Sequence, residues 1–419
     1  MQQIAVQNHF IFRILNRAYL FIRKVLYVLL RIAFSPLVLI VILLKPLIII
    51  RFGSIRSDRI GHFSVDVEAY LCARDQRKPI HKTIDIIGCP QPVSNRQLER
   101  MWKRTFRITP VAQIWRVMDD SCRFWTRKDT HHVKLYDRSK DYNLFLTAKS
   151  HLSFTEEEHQ KGKEQLGHLG IPTGAPWVCV YNRDSNYLDK SCNARIIHHD
   201  YRNFSVKSLL SAANELSGRG YYVIRVGSMV EEPFISSDSK IIDYSNCPFQ
   251  SDFMDIYLLA NCTFFLGSDS GIFCIPWLFK KLVIKTNFTV LRGLNIAPGL
   301  YILKSFWNKE QQKFLSLKEI FENGLANADQ SFFFEQAGVE LICNTQEEIR
   351  DLAMEADERL KGCWHAKSED ELLQNRFWEI FYAHAPQDSL RRDTWSYLGK
   401  EKQVLIGANF LRKHKYLLD

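Results

Sequence analysis

The sequence predicts an α/β protein, with two parallel-sheet units behind an apolar, basic amino-terminal helix. Three observations predict it. The stretch Asn261–Asn287 reads strand, tight polar turn, helix, strand. Pro46–Cys72 is a second strand–polar loop–helix unit. From Trp177 onward, strand and helix patterns alternate over about one hundred residues, as a doubly wound sheet requires. At 419 residues the chain exceeds one ordinary core. The expected division is 1–45 anchor helix, 46–170 first unit, 171–345 second unit and 346–419 helical tail.

In the anchor, Phe10–Leu44 is nearly all apolar, with Arg13 and Arg17 at helical spacing beside Ile14, Ala18 and Ile22. Nine basic residues and one acid in residues 1–60 carry eight of the ten net positive charges. Charge concentrated in an apolar segment fits an anionic membrane surface and not nucleic acid. Val25–Leu44 has Arg31 as its only charge and is long enough to span a bilayer. Pro36 interrupts that run, and spanning would translocate Arg13 to Lys24 against the positive-inside tendency. The expectation is a monotopic or re-entrant anchor on the cytoplasmic face of the inner membrane, with a spanning helix as the alternative. No small-residue cleavage site follows the run. The ten cysteines form no CxxC pair and no zinc-like spacing, so neither disulfides nor a structural metal are expected.

In the first unit, Pro46–Phe52 reads as a buried strand, Gly53–His62 as its polar loop and Phe63–Cys72 as a helix. Thr83–Gly88 is the next strand. Ser94 is the expected N-cap of a helix with Leu98, Met101 and Trp102, and Asn143–Thr147 a later strand. Thr155 and Glu158 have capping-box spacing, and Ile171–Pro176 reads as a linker. His62 and Asp66, four apart, share a helix face, with Asp58 in the loop before them. A histidine oriented by a carboxylate can act as a general base. The plainer alternative is a capping aspartate beside a surface histidine.

In the second unit, strands are expected at Trp177–Tyr181, Tyr221–Val226, Lys240–Tyr244, Thr263–Leu266 and Leu282–Lys285. Helices are expected at 205–217 and Phe253–Ala260. Polar residues gather just past the strand ends: Arg183 and Asp184, Arg202, Arg225 with Gly227, and the turn Gly267–Gly271. Arginines with free backbone N–H groups at a helix start suit a phosphate, since guanidinium pairs with its oxygens in bidentate fashion. A surface ion pair is the plainer reading for each arginine alone, above all Arg202. His198-His199-Asp200 lacks a further ligand at matching spacing. Toward the carboxyl end, Leu317–Phe321 is a short helix, Val339–Cys343 a strand, and Thr345 with Glu348 caps a helix through Leu360.

Taken in order, FGSIRSDRIGH, YNRD, HDYRN, YYVIRVGS, DYS and FFLGSDSG resemble a family of bacterial glycosyltransferases associated with surface-polysaccharide genes. More distantly, the layout is similar to heptosyltransferases and to GT-B fucosyltransferases. The resemblance implies a GT-B fold, two Rossmann-like domains facing a cleft, with the donor held mainly by the second. Asp269-Ser270-Gly271 resembles the heptosyltransferase Asp-Ser/Thr-Gly turn that holds donor phosphate; Cys274 stands where that group carries histidine. The implied donor set is Arg183, Asp184, Arg202, Arg225, Gly227, Ser268, Asp269, Ser270 and Gly271, with His62, Asp66 and Asp58 as catalytic candidates. The implied partners are a nucleotide-sugar donor and a glycan or glycolipid acceptor, with no cofactor and no metal. The alternatives are a sugar-nucleotide epimerase on the same scaffold and a non-catalytic, membrane-bound, sugar-binding scaffold.

Overall fold

The computed structural model describes residues 2–76, 82–135, 148–185, 197–294, 297–385 and 404–419. The strand expected at 143–147 lies outside them.

A seven-stranded sheet dominates the second half of the chain. Its strands are β4 (Trp177–Tyr181), β5 (Tyr222–Arg225), β6 (Ile241–Asp243), β7 (Phe264–Gly267), β8 (Leu282–Phe288), β9 (Gly299–Leu303) and β13 (Val404–Ile406). They lie in the order β13-β9-β8-β7-β4-β5-β6, and every pairing is parallel. The chain enters at β4, winds outward through β5 and β6, then crosses back to β7 and winds the other way. The order therefore reverses between β4 and β7, which opens a crevice beyond their carboxyl ends. Both strands are buried on both faces, as Val178, Cys179, Val180 and Phe264–Leu266 require. Gly267 faces Tyr181 across that pairing, and a Cβ on it would lie 2.5 Å from the Tyr181 carbonyl oxygen.

The first half carries a smaller parallel sheet of β1 (Ile49–Ser54), β2 (Thr83–Gly88) and β3 (Ile108–Thr109). After β1 the chain makes a single π-helical turn, His62–Asp66, that runs straight into α2 (Val67–Asp75). The cap of α3 (Arg96–Thr105) is Asn95 and not Ser94: the Asn95 side chain accepts from the Leu98 N–H, while the buried Ser94 hydroxyl makes no hydrogen bond among the described residues. The Thr155–Glu158 and Thr345–Glu348 capping boxes form as expected.

The segment expected to be a linker does not separate two cores. Ile171 is buried in a cluster that also holds Phe63 and Trp102 from the first half, and Phe253, Phe265 and Trp277 from the second. Hydrogen bonds reinforce the seam: Asn95 Nδ2 and the Arg96 N–H donate to the backbone and carboxylate of Asp252, at 2.9 and 2.8 Å. The strand expected at Val339–Cys343 forms as β12 (Val339–Ile342), and it joins β10 (Ser305–Asn308) and β11 (Lys313–Phe314) in a small antiparallel sheet. β13, expected to be helical, closes the edge of the large sheet beside β9.

The amino-terminal helix α1 runs unbroken from Gln2 to Leu43, through Pro36. Proline removes the N–H that Ile32 O would accept four residues earlier. The Ser35 hydroxyl donates to that oxygen instead, at 2.7 Å, so no carbonyl is stranded and the helix continues. One edge of α1 packs on α4 (Ala112–Thr126) and β1, with Val38 and Val41 buried against Phe52, Met118 and Cys122.

Candidate active site

The crevice beyond β4 and β7 opens into a cavity of about 590 Å³. One wall comes from the ends of β4 and β5 and the turn after β7; the other comes from the loop and π-turn at Arg59–Asp66, with Ser94 and Asn95. Two glycines bring the walls together. A Cβ on Gly61 would lie 3.0 Å from Gly271 Cα, and one on Gly271 would lie 3.0 Å from the Gly61 nitrogen. Only two residues without side chains allow this contact. Cys274 closes it from below as a buried thiol, and burial pushes its pKa up to about 12.

The contact places the His62–Asp66 pair beside the Asp269–Gly271 turn. Within the π-turn, His62 Nδ1 lies 2.9 Å from Asp66 Oδ2, so the ring donates to the carboxylate and Nε2 is the basic nitrogen. Both residues line the cavity. Asp58 does not: it is exposed and lies 3.9 Å from Arg59.

On the facing wall, Arg183 and Arg202 reach the cavity together. Arg183 donates to His199 O at 2.9 Å and to Asn203 Oδ1, which leaves its Nη2 buried without a partner. Arg202 Nε is likewise buried and unpartnered. Burial, and then the neighbouring Arg202 charge, pull the Arg183 pKa below its ordinary value. An anion placed between the two guanidinium groups would relieve that repulsion and satisfy the orphaned nitrogens. His199, which shares the wall, is held neutral: burial and then the Arg202 charge lower its pKa to about 4.

The remaining sequence candidates divide. Gly227 lines the cavity at φ +139°, a conformation that side chains rarely adopt, and Ser270 and Gly271 line it as well. Asp184 lines it too, and its carboxylate accepts from the Glu231 N–H at 3.0 Å. Arg225 and Ser268 do not line it. Arg225 is fully buried behind the wall, donating to Asn182 Oδ1 at 3.0 Å and Asp243 Oδ1 at 3.3 Å. Asn182 in turn donates to Phe204 O, so Arg225 braces the loop that carries Arg202. The helix after the turn is short, a 3₁₀ turn at Gly271–Phe273 followed by Cys274–Leu278. Its dipole contributes correspondingly little.

Two buried lysines escaped the sequence reading. Lys285, on β8, donates to Asp269 Oδ1 at 2.9 Å and sits 3.5 Å above the Phe273 ring. Burial is the largest single influence and would lower its pKa, but the Asp269 carboxylate together with Tyr301 and Cys274 makes the net shift upward, so the ammonium is retained. Asp269 is thus a neutralised anchor of the turn. Lys304 donates to the carbonyls of Tyr201 and Asn203 at 2.9 and 2.8 Å, and so fixes the residues flanking Arg202. Lysine within a strand pattern signals solvent exposure, and only the fold turns these two inward.

Away from the cavity, Glu68, Cys72 and His151 bring ligand-type atoms within 4.8 Å of one another, a grouping that spacing along the chain does not reveal. His151 bridges two carboxylates, with Nδ1 at 3.1 Å from Glu68 and Nε2 at 2.8 Å from Asp75. Contacts with Cys72, then Glu68 and Asp75, raise its pKa to about 10, so an imidazolium ties this segment to α2.

No protein-family model matches the sequence, and no curated protein does. Among solved structures, the chain is similar to the ADP-heptose lipopolysaccharide heptosyltransferase II of E. coli, at TM-score 0.31 and 11% identity over 56% of this chain and 84% of that one. It is similar to a family 9 glycosyl transferase from Veillonella parvula, at 0.33 and 8% over 56% and 79%. It is also similar to TibC, an iron-containing dodecameric glycosyltransferase of enterotoxigenic E. coli, at 0.28 and 13% over 57% and 59%. At such scores the likeness carries no argument about this chain.

Proposed function

We propose that the chain is a glycosyltransferase of GT-B type, moving a sugar from a nucleotide-sugar donor to a glycan or lipid-linked acceptor in cell-surface polysaccharide synthesis. The observation that supports it most is a single cavity combining two unpartnered, buried guanidinium nitrogens on one wall with a paired His62–Asp66 on the other. In this reading the second unit holds the donor and the first presents the acceptor. Arg183 and Arg202 neutralise the leaving phosphate as the bond from the anomeric carbon to the phosphate oxygen breaks. Charge grows there in the transition state, so preorganised cations act mainly on the rate. The acceptor oxygen forms the new bond to the anomeric carbon, and its proton passes to His62 Nε2. Asp66 steadies the resulting imidazolium.

The test is a panel of nucleotide sugars offered to the purified protein with and without glycan or lipid-linked acceptors. Acceptor-dependent transfer supports the reading. Interconversion of sugars without acceptor would make the protein an epimerase, and binding without turnover would make it a scaffold. Either result overturns transfer.

A further inference from the structure

We propose that α1 lies in the plane of an anionic membrane surface, and that Phe124 and Trp125 at the end of α4 form a second insertion point beside it. This rests on the chain meeting a membrane, as the notion of a lipid-linked acceptor implies, and not on sugar transfer itself.

By length and composition Phe21–Leu43 could cross a bilayer, and 11% of its most apolar window is buried. Its contacts describe a different posture. Tyr27 donates to Asp120, and the Arg31 guanidinium lies 4.8 Å over the Phe124 ring. Phe34, Val38 and Val41 then pack on the cluster of Phe52, Met118 and Cys122. Positions 27, 31, 34, 38 and 41 form one stripe, so the body is attached along most of the candidate span. A perpendicular helix would draw α4, with Asp119, Asp120 and Arg123, into hydrocarbon, which charged groups resist strongly.

The opposite face of α1 is apolar. Ile22, Leu26, Leu29, Ile32, Leu39 and Leu43 are each more than half exposed. At ~100° per residue, Arg23, Lys24 and Arg31 all fall within about 60° of the packed stripe and none on the opposite face. That is the pattern of a helix with its apolar face in the acyl chains and cations at headgroup level. Beside it, Phe124 and Trp125 are 62% and 64% exposed. Next to them an open basin of about 490 Å³ is lined by four cations, Arg31, Arg123, Arg127 and Lys128, and two carboxylates, Asp120 and Asp129. Exposed aromatics beside excess positive charge match an anionic headgroup layer.

The experiment uses the full chain with protein-free vesicles of phosphatidylcholine, with and without phosphatidylglycerol. Strong binding is expected only to the anionic vesicles; equal binding to both would overturn the role of the basin. Joint substitution Phe124→Ser and Trp125→Ser should weaken partitioning about tenfold or more, and Phe124→Leu with Trp125→Leu should restore most of it. Unchanged partitioning of the serine variant, at an unchanged melting temperature, would remove the second insertion point. For sidedness, Gln7→Cys in a Cys343→Ser background is labelled with a membrane-impermeant maleimide, and the exposed Cys363 reports the side of the body. Labelling of both from one side is expected; labelling from opposite sides would make α1 a spanning helix. Self-association in place of vesicle binding would assign the apolar face to a second copy of the chain. None of these readouts depends on turnover.

Discussion

Arg183 and His62 line facing walls of one cavity, and their losses should differ in kind. Arg183→Ala removes a charged hydrogen-bonding group from the anion wall, worth about 2 kcal/mol, so the Kd for a nucleoside diphosphate should rise roughly thirtyfold by calorimetry. His62→Ala should leave that Kd within about twofold while cutting turnover about a hundredfold or more, as general-base removal does. Normal turnover in the His62 variant would end the base assignment. Lys285→Met should act on stability first. It strips the partner from Asp269 in a largely buried setting, at a cost of about 3 kcal/mol read from denaturant midpoints. Arg183, His62, Asp66 and the 269–271 turn were legible because each follows a recognisable strand end or shares one helical turn. Arg225 was misplaced for the same reason. Being at a strand end says nothing about which side of the sheet a side chain takes, and the fold turns this one toward Asn182 and Asp243.

The seam between the Gly61 loop and the Gly271 turn is the element on which the cavity depends. Gly271→Ala places a methyl 3.0 Å from backbone that cannot rotate away. The walls must part by a few tenths of an ångström, so kcat should fall by about tenfold with a melting temperature only slightly lower. A preserved kcat would show that the seam does not position His62. A second element-level expectation concerns the segment that carries His151. Its pKa in the fold is about 10, against about 6.5 in an unfolded chain. Because the folded value is raised, the contribution to stability is whole below about pH 6.5 and is lost as pH rises through 10. His151→Ala should therefore flatten the fall of stability with pH across that window, measured by chemical denaturation at several pH values.

For the whole molecule, the attachment of α1 decides how the chain can be shortened. Removing residues 2–24 leaves the stripe from Tyr27 to Val41 in place, so the remainder should stay folded and monodisperse by size exclusion while binding anionic vesicles less well. Removing residues 2–44 uncovers Phe52, Met118 and Cys122, and that chain should aggregate. A monodisperse protein lacking residues 2–44 would show that α1 contributes nothing to the core.

The sequence by itself determined the α/β alternation, the two strand–turn–helix corners, two of the capping boxes and the apolar, basic character of the amino terminus. All of these are local: propensity, periodicity and turn chemistry act within a dozen residues. What only the tertiary structure decided is long-range. The reversal of strand order between β4 and β7 sets where the crevice opens. The contact of Gly61 with Gly271 joins residues over two hundred positions apart. The inward turn of Lys285 and Lys304, the continuity of one core across both sheets, and the strand β13 in a tail that read as helical depend on partners that no local window contains. The free energy that fixes them comes from burial and pairing between distant segments, which a pattern along the chain does not encode.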